Sequence, residues 1–251
     1  YMMREYRSDV LPNRNQGYSG RVTYDYASKY LVEFNFGYNG SERLAAGHRF
    51  EFFPAVSAGW VASSEKFWEP ISKYINHFKI RGSYGLVGSD AFHKDAPHFL
   101  YQNNIGIGSA HNFWTGLPTS EISKKGPGFY VLAVQDAGWE HVKKFDIGFD
   151  MMLFNQLNIT FDYFHDKRER ILMSRASWPS MLGYWGSKPW SNIGEVENQG
   201  FELSLNWTKQ FGKDLTLDLR GNFTYNQNEY KYVDEPSYPY VWQTNTGKPL
   251  N

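Results

Sequence analysis

Residues 197–227 alternate between apolar and polar side chains over two long runs, and this pattern narrows the possible folds more than any other feature of the chain. In the first run Phe201, Leu203, Leu205 and Trp207 share one face and Glu202, Ser204, Asn206 and Thr208 the other. After a polar turn, Lys209 to Asp214, Leu215, Leu217, Leu219, Phe223 and Tyr225 oppose Thr216, Asp218, Arg220, Asn222 and Thr224. A period of two describes a β-strand with one face in an apolar medium and one in water. Each run holds about ten residues, against roughly five or six for a soluble strand and about 9–11 for a tilted strand crossing a bilayer. Aromatic residues stand near the ends of the runs, where interfacial girdles lie.

The pattern repeats upstream. Tyr18 to Tyr26 and Tyr30 to Tyr38 alternate around a turn at Ala27 to Lys29. A strand over Phe52 to Ala62 follows a loop at 39–49, and its Pro54 predicts a strand end or bulge. Ser63 to Asn76 reads as a short helical connection, with Ser63 or Ser64 as N-cap and a break at Pro70. His77 to Gly88 makes a fourth strand. Residues 89–140 read as one long irregular segment, of the kind that serves as a lid or binding loop or else is disordered. Phe145, Ile147, Phe149 and Met151 mark the fifth strand, and Leu157, Ile159, Phe161 and Tyr163 the sixth. A loop over Ile171 to Asn192 precedes the two runs described first, and Tyr230 to Asn251 has no clear period.

The eight candidate strands are joined by connections that alternate between compact and long. Short turns at one end and long loops at the other describe an outer-membrane barrel with its long loops outside the cell. The polar face carries Arg21, Asp25, Glu33, Lys144, Asp146, Asp150, Glu202, Asp218 and Arg220. So many charges imply a wet lumen, wider than the packed interior of an eight-stranded barrel. The expected fold is therefore all-β: an antiparallel transmembrane β-barrel segment, about eight strands of a larger barrel, with long extracellular loops.

Composition sets bounds on this reading. The 251 residues carry 26 basic and 26 acidic side chains and no cysteine, which gives no reason to expect a nucleic-acid partner and excludes disulfides and thiolate metal sites within the chain. No apolar run approaches the ~18 residues of a transmembrane helix. The polar N-terminal residues 1–15 lack the apolar centre of a signal peptide. A mean hydropathy of −0.58 is compatible with a barrel, because lipid-facing and lumen-facing residues average out. Aromatic residues make up 18% of the chain, which suits interfacial belts and equally suits a carbohydrate-binding surface.

Four stretches resemble the SusC/RagA-type TonB-dependent transporters. They are Gly40-Ser41-Glu42-Arg43 with Phe53-Pro54-Ala55-Val56-Ser57-Ala58-Gly59-Trp60; Lys79-Ile80-Arg81-Gly82-Ser83-Tyr84-Gly85; Trp139-Glu140 with Asp146-Ile147-Gly148-Phe149-Asp150 and Asp162-Tyr163-Phe164; and Asn192-Ile193-Gly194-Glu195-Val196-Glu197-Asn198-Gln199-Gly200-Phe201-Glu202-Leu203-Ser204. Asn39, Leu44, Val87 and Ser89 depart from the family pattern. The resemblance implies that residues 1–251 are part of a TonB-dependent receptor β-barrel of about 22 strands. It also implies a plug domain that is not recognisable in this chain, energy input through TonB, and a SusD-like surface lipoprotein over the mouth. The implied location is the bacterial outer membrane, and the implied cargo an oligosaccharide or a peptide.

Few residues suggest bond chemistry, and no catalytic residue, metal site or cofactor is expected. His93, His98 and His111 with Asp90 and Asp95 could ligate a metal, but their spacing fits no regular element, and ordinary polar loop residues are the simpler reading. The pairs Asp146/Asp150 and Glu195/Glu197 could serve acid–base chemistry, yet on alternating strands they are expected to face a wet lumen or its mouth. Gly106-Ile107-Gly108 lacks the later glycine and strand–helix setting of a phosphate-binding turn. Trp114, Trp178, Trp185 and Trp190 fall in the expected extracellular loops, where they could stack on cargo or pack the loops together. Trp60 and Trp207 are read as membrane-interface girdle residues.

The function expected is active import across the outer membrane, the chain forming barrel wall and outer loops. The rival is a soluble, secreted β-rich carbohydrate-binding module that uses the same tryptophans. If Leu217 lies at the bilayer midplane, Leu217→Arg should cost about 2–4 kcal/mol and Thr216→Arg much less.

Overall fold

The computed structural model describes residues 2–4, 13–93, 95–106, 112–115, 122–179, 181 and 188–250. A nine-stranded antiparallel sheet dominates it. The chain runs through β1 (Met2–Arg4), β2 (Asn13–Tyr26), β3 (Tyr30–Ser41), β4 (Phe50–Val61), β5 (Ile75–Ser89), β6 (Asn104–Gly106), β7 (Asn112–Thr115), β8 (Ile122–Lys125), β9 (Gly128–Val131), β10 (Glu140–Leu153), β11 (Leu157–Ser174), β12 (Trp190–Phe211) and β13 (Leu215–Tyr232). The large sheet has the order β1-β2-β3-β4-β5-β10-β11-β12-β13, so strands adjacent in space are adjacent in sequence apart from the insertion between β5 and β10. Among the described residues β13 pairs only with β12, and the sheet stays open, as a segment of a wider barrel must.

Two of the tight turns show how the hairpins are made without glycine. Ala27 and Ser28 have φ of 55° and 53°, and Phe154 and Asn155 have 54° and 53°. Two successive positive φ angles match the right-handed twist of the flanking strands. The Ser28 amide donates to Asp25 Oδ1 at 2.8 Å, which helps offset the cost of the left-handed backbone.

Register fixes the two faces. Tyr24 opposes Val32, Val32 opposes Ala58, and Trp60 opposes Ile80, while Phe149 opposes Phe161, Phe161 opposes Leu203 and Leu203 opposes Phe223. Among the described residues this apolar face has no protein layer over it: Leu215, Leu217 and Leu219 are 60%, 41% and 54% exposed. A soluble module would cover such a face, so the rival reading fails here. The buried core sits instead at the long-loop end, where Leu44, Phe53, Phe92, Leu100, Val134, Ala137, Trp139 and Leu172 pack together.

Several expectations need correction. The strands are longer than the runs suggested: β12 has 22 residues and β13 has 18, because they continue beyond the apolar stretch as polar ladder. Pro54 lies within β4 opposite Phe36, yet pairing to β5 begins only at Ala55, so the proline stands where that ladder ends. The connection after β4 is two 3-10 turns, Ala62–Ser64 and Lys66–Trp68, preceded by Val61 and Glu65 without side-chain caps; neither Ser63 nor Ser64 serves as N-cap. The segment between β5 and β10 is not wholly irregular, since β6 pairs with β9 and β7 with β8.

Candidate functional site

The polar face is built around Arg81. Its Nη2 donates to Asp162 at 2.7 Å, its Nε to Asp150 at 3.3 Å and its Nη1 to Asp146 at 3.5 Å. Arg81 on β5 stands opposite Gly148 on β10, and Gly148 opposite Asp162 on β11. A Cβ at Gly148 would clash with Asp162 Oδ1 and the Phe161 carbonyl, so the glycine lets the guanidinium reach two strands away. Thr160 Oγ1 donates to the other oxygen of Asp150 at 3.2 Å, and the next pairing after Asp162 is Glu202. Further along the same face Lys144 meets Asp166 at 2.9 Å and Arg21 pairs with Glu33. Asp146 and Asp150 thus form a cluster with one shared arginine.

On the apolar face, the change of medium can be followed row by row. Ile147, Tyr163, Phe201 and Tyr225 form one row across β10 to β13. The next row toward the long loops is Phe145, His165, Gln199 and Gln227, and the one after it is Lys143, Lys167, Glu197 and Glu229. Ion pairs lace that last row: Lys143 to Glu169 at 2.6 Å, Lys167 to Glu169 at 2.7 Å, Lys231 to Glu197 at 2.9 Å, and His165 to Glu197. Glu197 is therefore not on the lumen-type face but on the apolar-side face, above the aromatic row, with Glu195 held nearby by Lys167 at 3.4 Å. From Leu215 to Tyr225, tilted as barrel strands are, the apolar stretch is about 25 Å tall, the height of an outer-membrane band.

At the short-turn end of this face Trp60 stands between Tyr30 and Ile80, and Trp207 between Leu157 and Leu219. Trp60 also lies 6.3 Å from the Phe67 ring.

The long-loop end holds the remaining candidates. Trp190 opens β12, packs against the buried cluster and lies 6.3 Å from the His93 ring. It lines a hollow of about 650 Å³ with His93, Asp95, Ile171, Met173 and Lys188. Trp178 is half-buried in the connection after β11 and is not part of that hollow. Trp114 lies on the backbone of β7, and Trp185 falls outside the described residues. The histidines and aspartates of the insertion do not converge: His93 faces Asp95 at 3.4 Å, Asp90 accepts from Asn15 at 2.7 Å, His98 packs on Phe99, and His111, like Ile107 and Gly108, lies outside the described residues.

Two clamps escaped the reading of the sequence. Glu140, with a 2% exposed side chain, accepts from Arg168 and, at 3.1 Å, from the Leu172 amide. Asn192 accepts from the Gly138 amide at 3.1 Å and donates to the Gly138 and Arg170 carbonyls at 3.0 and 2.8 Å, tying the end of the insertion to β11 and β12. The second clamp is Asp234, which accepts from Ser177 N at 3.0 Å, Ser177 Oγ at 2.8 Å and Arg175 Nε at 3.3 Å. Burial pushes its carboxyl up, but those donors outweigh burial and hold it below the usual carboxylate range. Beyond it, Tyr240 and Trp242 stack at 5.9 Å with both rings exposed, in a segment whose sequence has no period to reveal them.

Comparison with known proteins gives a consistent picture. The model of the family "TonB dependent receptor-like, beta-barrel" matches residues 5–251. TonB-dependent receptor P3 of Formosa agariphila is 32% identical over 211 residues, covering 84% of this chain and 20% of that protein. TonB-dependent receptor SusC of Bacteroides thetaiotaomicron is 25% identical over 228 residues, covering 90% of this chain and 22% of that protein. The chain thus spans about a fifth of the length of these curated relatives. Among solved structures, the RagAB peptide importer in its open-open state superposes with a TM-score of 0.69 at 19% identity, over 92% of this chain and 24% of that one.

Proposed function

Because the chain belongs to the TonB-dependent receptor β-barrel family, we propose that it forms part of the wall and outer loops of an active importer in the bacterial outer membrane. One observation carries this reading: the same strands bear an uncovered apolar face of bilayer height and a charged opposite face. Passage, rather than bond chemistry, is what such a wall serves. The polar face lines the route and meets a plug domain, through which TonB supplies energy. Trp60 and Trp207 act as girdle residues at the short-turn end, where aromatic rings suit a membrane boundary.

Cargo is an oligosaccharide or a peptide, captured by the long loops together with a SusD-like lipoprotein. The RagAB structure, which shares the fold, is described as a peptide importer, and that description is compatible with the peptide half of this reading. Of the four loop tryptophans, Trp190 has the best support for a cargo contact, because it lines a hollow of small-molecule size.

Uptake measured in cells lacking the intact transporter, with glycan or peptide mixtures as sole carbon source, tests the proposal. Loss of growth on one mixture, restored by the intact gene, is the expected result. Unchanged growth on every mixture, with no loss of labelled cargo uptake, would overturn it.

A further inference from the structure

The connection between β4 and β5, residues 62–74 at the short-turn end, carries an apolar surface of its own. Phe67, Tyr74 and Phe154 of the neighbouring β10–β11 turn are 60%, 61% and 57% exposed, and Ile71 is exposed as well. Aromatic rings join this surface to the apolar face of the sheet. Trp60 lies 6.3 Å from Phe67, Phe67 lies 6.2 Å from Trp68, and Trp68 stacks on Phe78 at 5.3 Å. Phe78 lies 5.9 Å from Phe149, and Tyr74 meets the Phe154 ring edge-on at 6.1 Å. Trp60, Phe78 and Phe149 belong to the rows of the apolar face, so the connection folds back against that face. β4, β5 and β10 are interior strands, and further strands would extend the sheet at its edges without covering them.

The backbone of this segment suits the edge of a hydrocarbon layer, where peptide groups must find partners within the protein. The Trp68 amide donates to the Glu65 carbonyl at 3.0 Å, Ile71 to Trp68 at 2.9 Å and Tyr74 to Ile71 at 2.9 Å. The Trp68 indole donates to the Ile75 carbonyl at 3.0 Å. The Phe154 amide donates to the Tyr74 carbonyl at 2.9 Å, which ties the two connections into one ledge. Charge follows the same plan. Glu65 is spent on Lys29 at 3.0 Å and the Tyr30 hydroxyl at 2.9 Å. Among the described residues Lys66 and Lys73 have no ion pair, against the single exposed carboxylate of Glu69. Lysines placed so can lay their stems on apolar surface and hold their ammonium groups among lipid phosphates.

We infer that residues 66–74, with Phe154, form an interfacial ledge on the leaflet at the short-turn end. Phe67, Ile71 and Tyr74 enter the headgroup layer, and Lys66 and Lys73 meet the phosphates of anionic glycerophospholipids. The inference rests on the membrane reading of the sheet and goes beyond it, because here an irregular connection and not a strand holds the lipid.

The test uses the intact transporter in vesicles of phosphatidylcholine and phosphatidylglycerol, with nitroxide labels at Phe67→Cys and Tyr74→Cys. Labels at Leu205→Cys on the apolar face and Thr246→Cys in the turn beyond β13 serve as references. Collision with a water-soluble nickel chelate is expected to be about tenfold rarer at 67 and 74 than at 246, with oxygen collision raised. Chelate collision at 67 and 74 equal to that at 246, with 205 still in lipid, would overturn the ledge alone. Water at 205 as well would overturn the membrane reading and the ledge with it. Native mass spectrometry reads the lysines without any label. The preference for retaining phosphatidylglycerol over phosphatidylcholine should fall about fivefold when Lys66→Glu and Lys73→Glu are combined, and return with arginine at both positions. An unchanged preference would overturn the phosphate contact.

Discussion

Arg81 and Asp162 belong to strands two apart in the sheet and still meet at 2.7 Å, because the residue between them is Gly148. Three carboxylates share that one guanidinium, each about one-fifth to one-third exposed. Water screens the cluster only in part, so its members depend on the arginine more than surface pairs do.

Gly148→Ala should therefore destabilise the wall although it adds a single methyl. The new Cβ meets Asp162 Oδ1 and a backbone carbonyl, and a backbone neighbour cannot rotate away. The expected loss is about 1–3 kcal/mol. Arg81→Met, which leaves the three aspartates facing one another, should cost about 1–2 kcal/mol after allowance for solvent. Urea titration of the intact protein folded into lipid vesicles measures both, and wild-type midpoints would refute the bridging role of the glycine.

Depth in the bilayer can be read from two leucines. Leu217 stands opposite Lys209, a cation already present at that level of the apolar face, so Leu217 lies near an interface and the midplane condition set on Leu217→Arg is not met. Leu205, between Ile159 and Gly221, lies within the apolar rows. Leu205→Arg should cost about 2–4 kcal/mol, Leu217→Arg about 0–1, and Ser204→Arg on the charged face little. Equal costs for Leu205→Arg and Ser204→Arg in vesicle folding would contradict the assignment of faces.

Acid should loosen the outer loops at Asp234, which lies beyond the spanning strands. Its folded pKa is depressed, so its contribution is complete above the unfolded value of about 4 and disappears as pH falls through the folded one. Amide exchange at 175–179 and 233–235 is expected to be slow at pH 7 and to lose its extra protection only below about pH 4. In Asp234→Ala the fast exchange should be present at every pH. Protection that survives in that variant would assign the clamp to other contacts.

Asn192→Ala removes three hydrogen bonds, two that join the insertion to the wall at Gly138 and one that joins β12 to β11 at Arg170. Local opening of residues 134–139 should become easier by about 1–3 kcal/mol. Hydrogen exchange resolves this, and unchanged protection there would show that the buried cluster alone holds the insertion.

Much of this molecule could be read from residue order. Alternation at Phe201 to Trp207 and Leu215 to Tyr225 gave the strands and their faces, because a period of two maps directly onto the two sides of a sheet. The charged residues assigned to the polar face, from Arg21 to Arg220, stand there in the register of the strands. Glu197, expected at a wet lumen or its mouth, stands above the aromatic row on the long-loop side, because the alternation continues past Phe201 while the apolar character stops.

What the sequence determined alone is the local alternation, which forces strands of bilayer length with an apolar side and a wet one. Only the tertiary structure decided which distant side chains meet: Arg81 over Gly148, Glu140 beneath Leu172, Trp190 beside His93. Strand propensity and periodicity are properties of neighbours along the chain. Those three meetings depend on register across several strands and on how the β5–β10 insertion folds back, which neighbours along the chain do not encode.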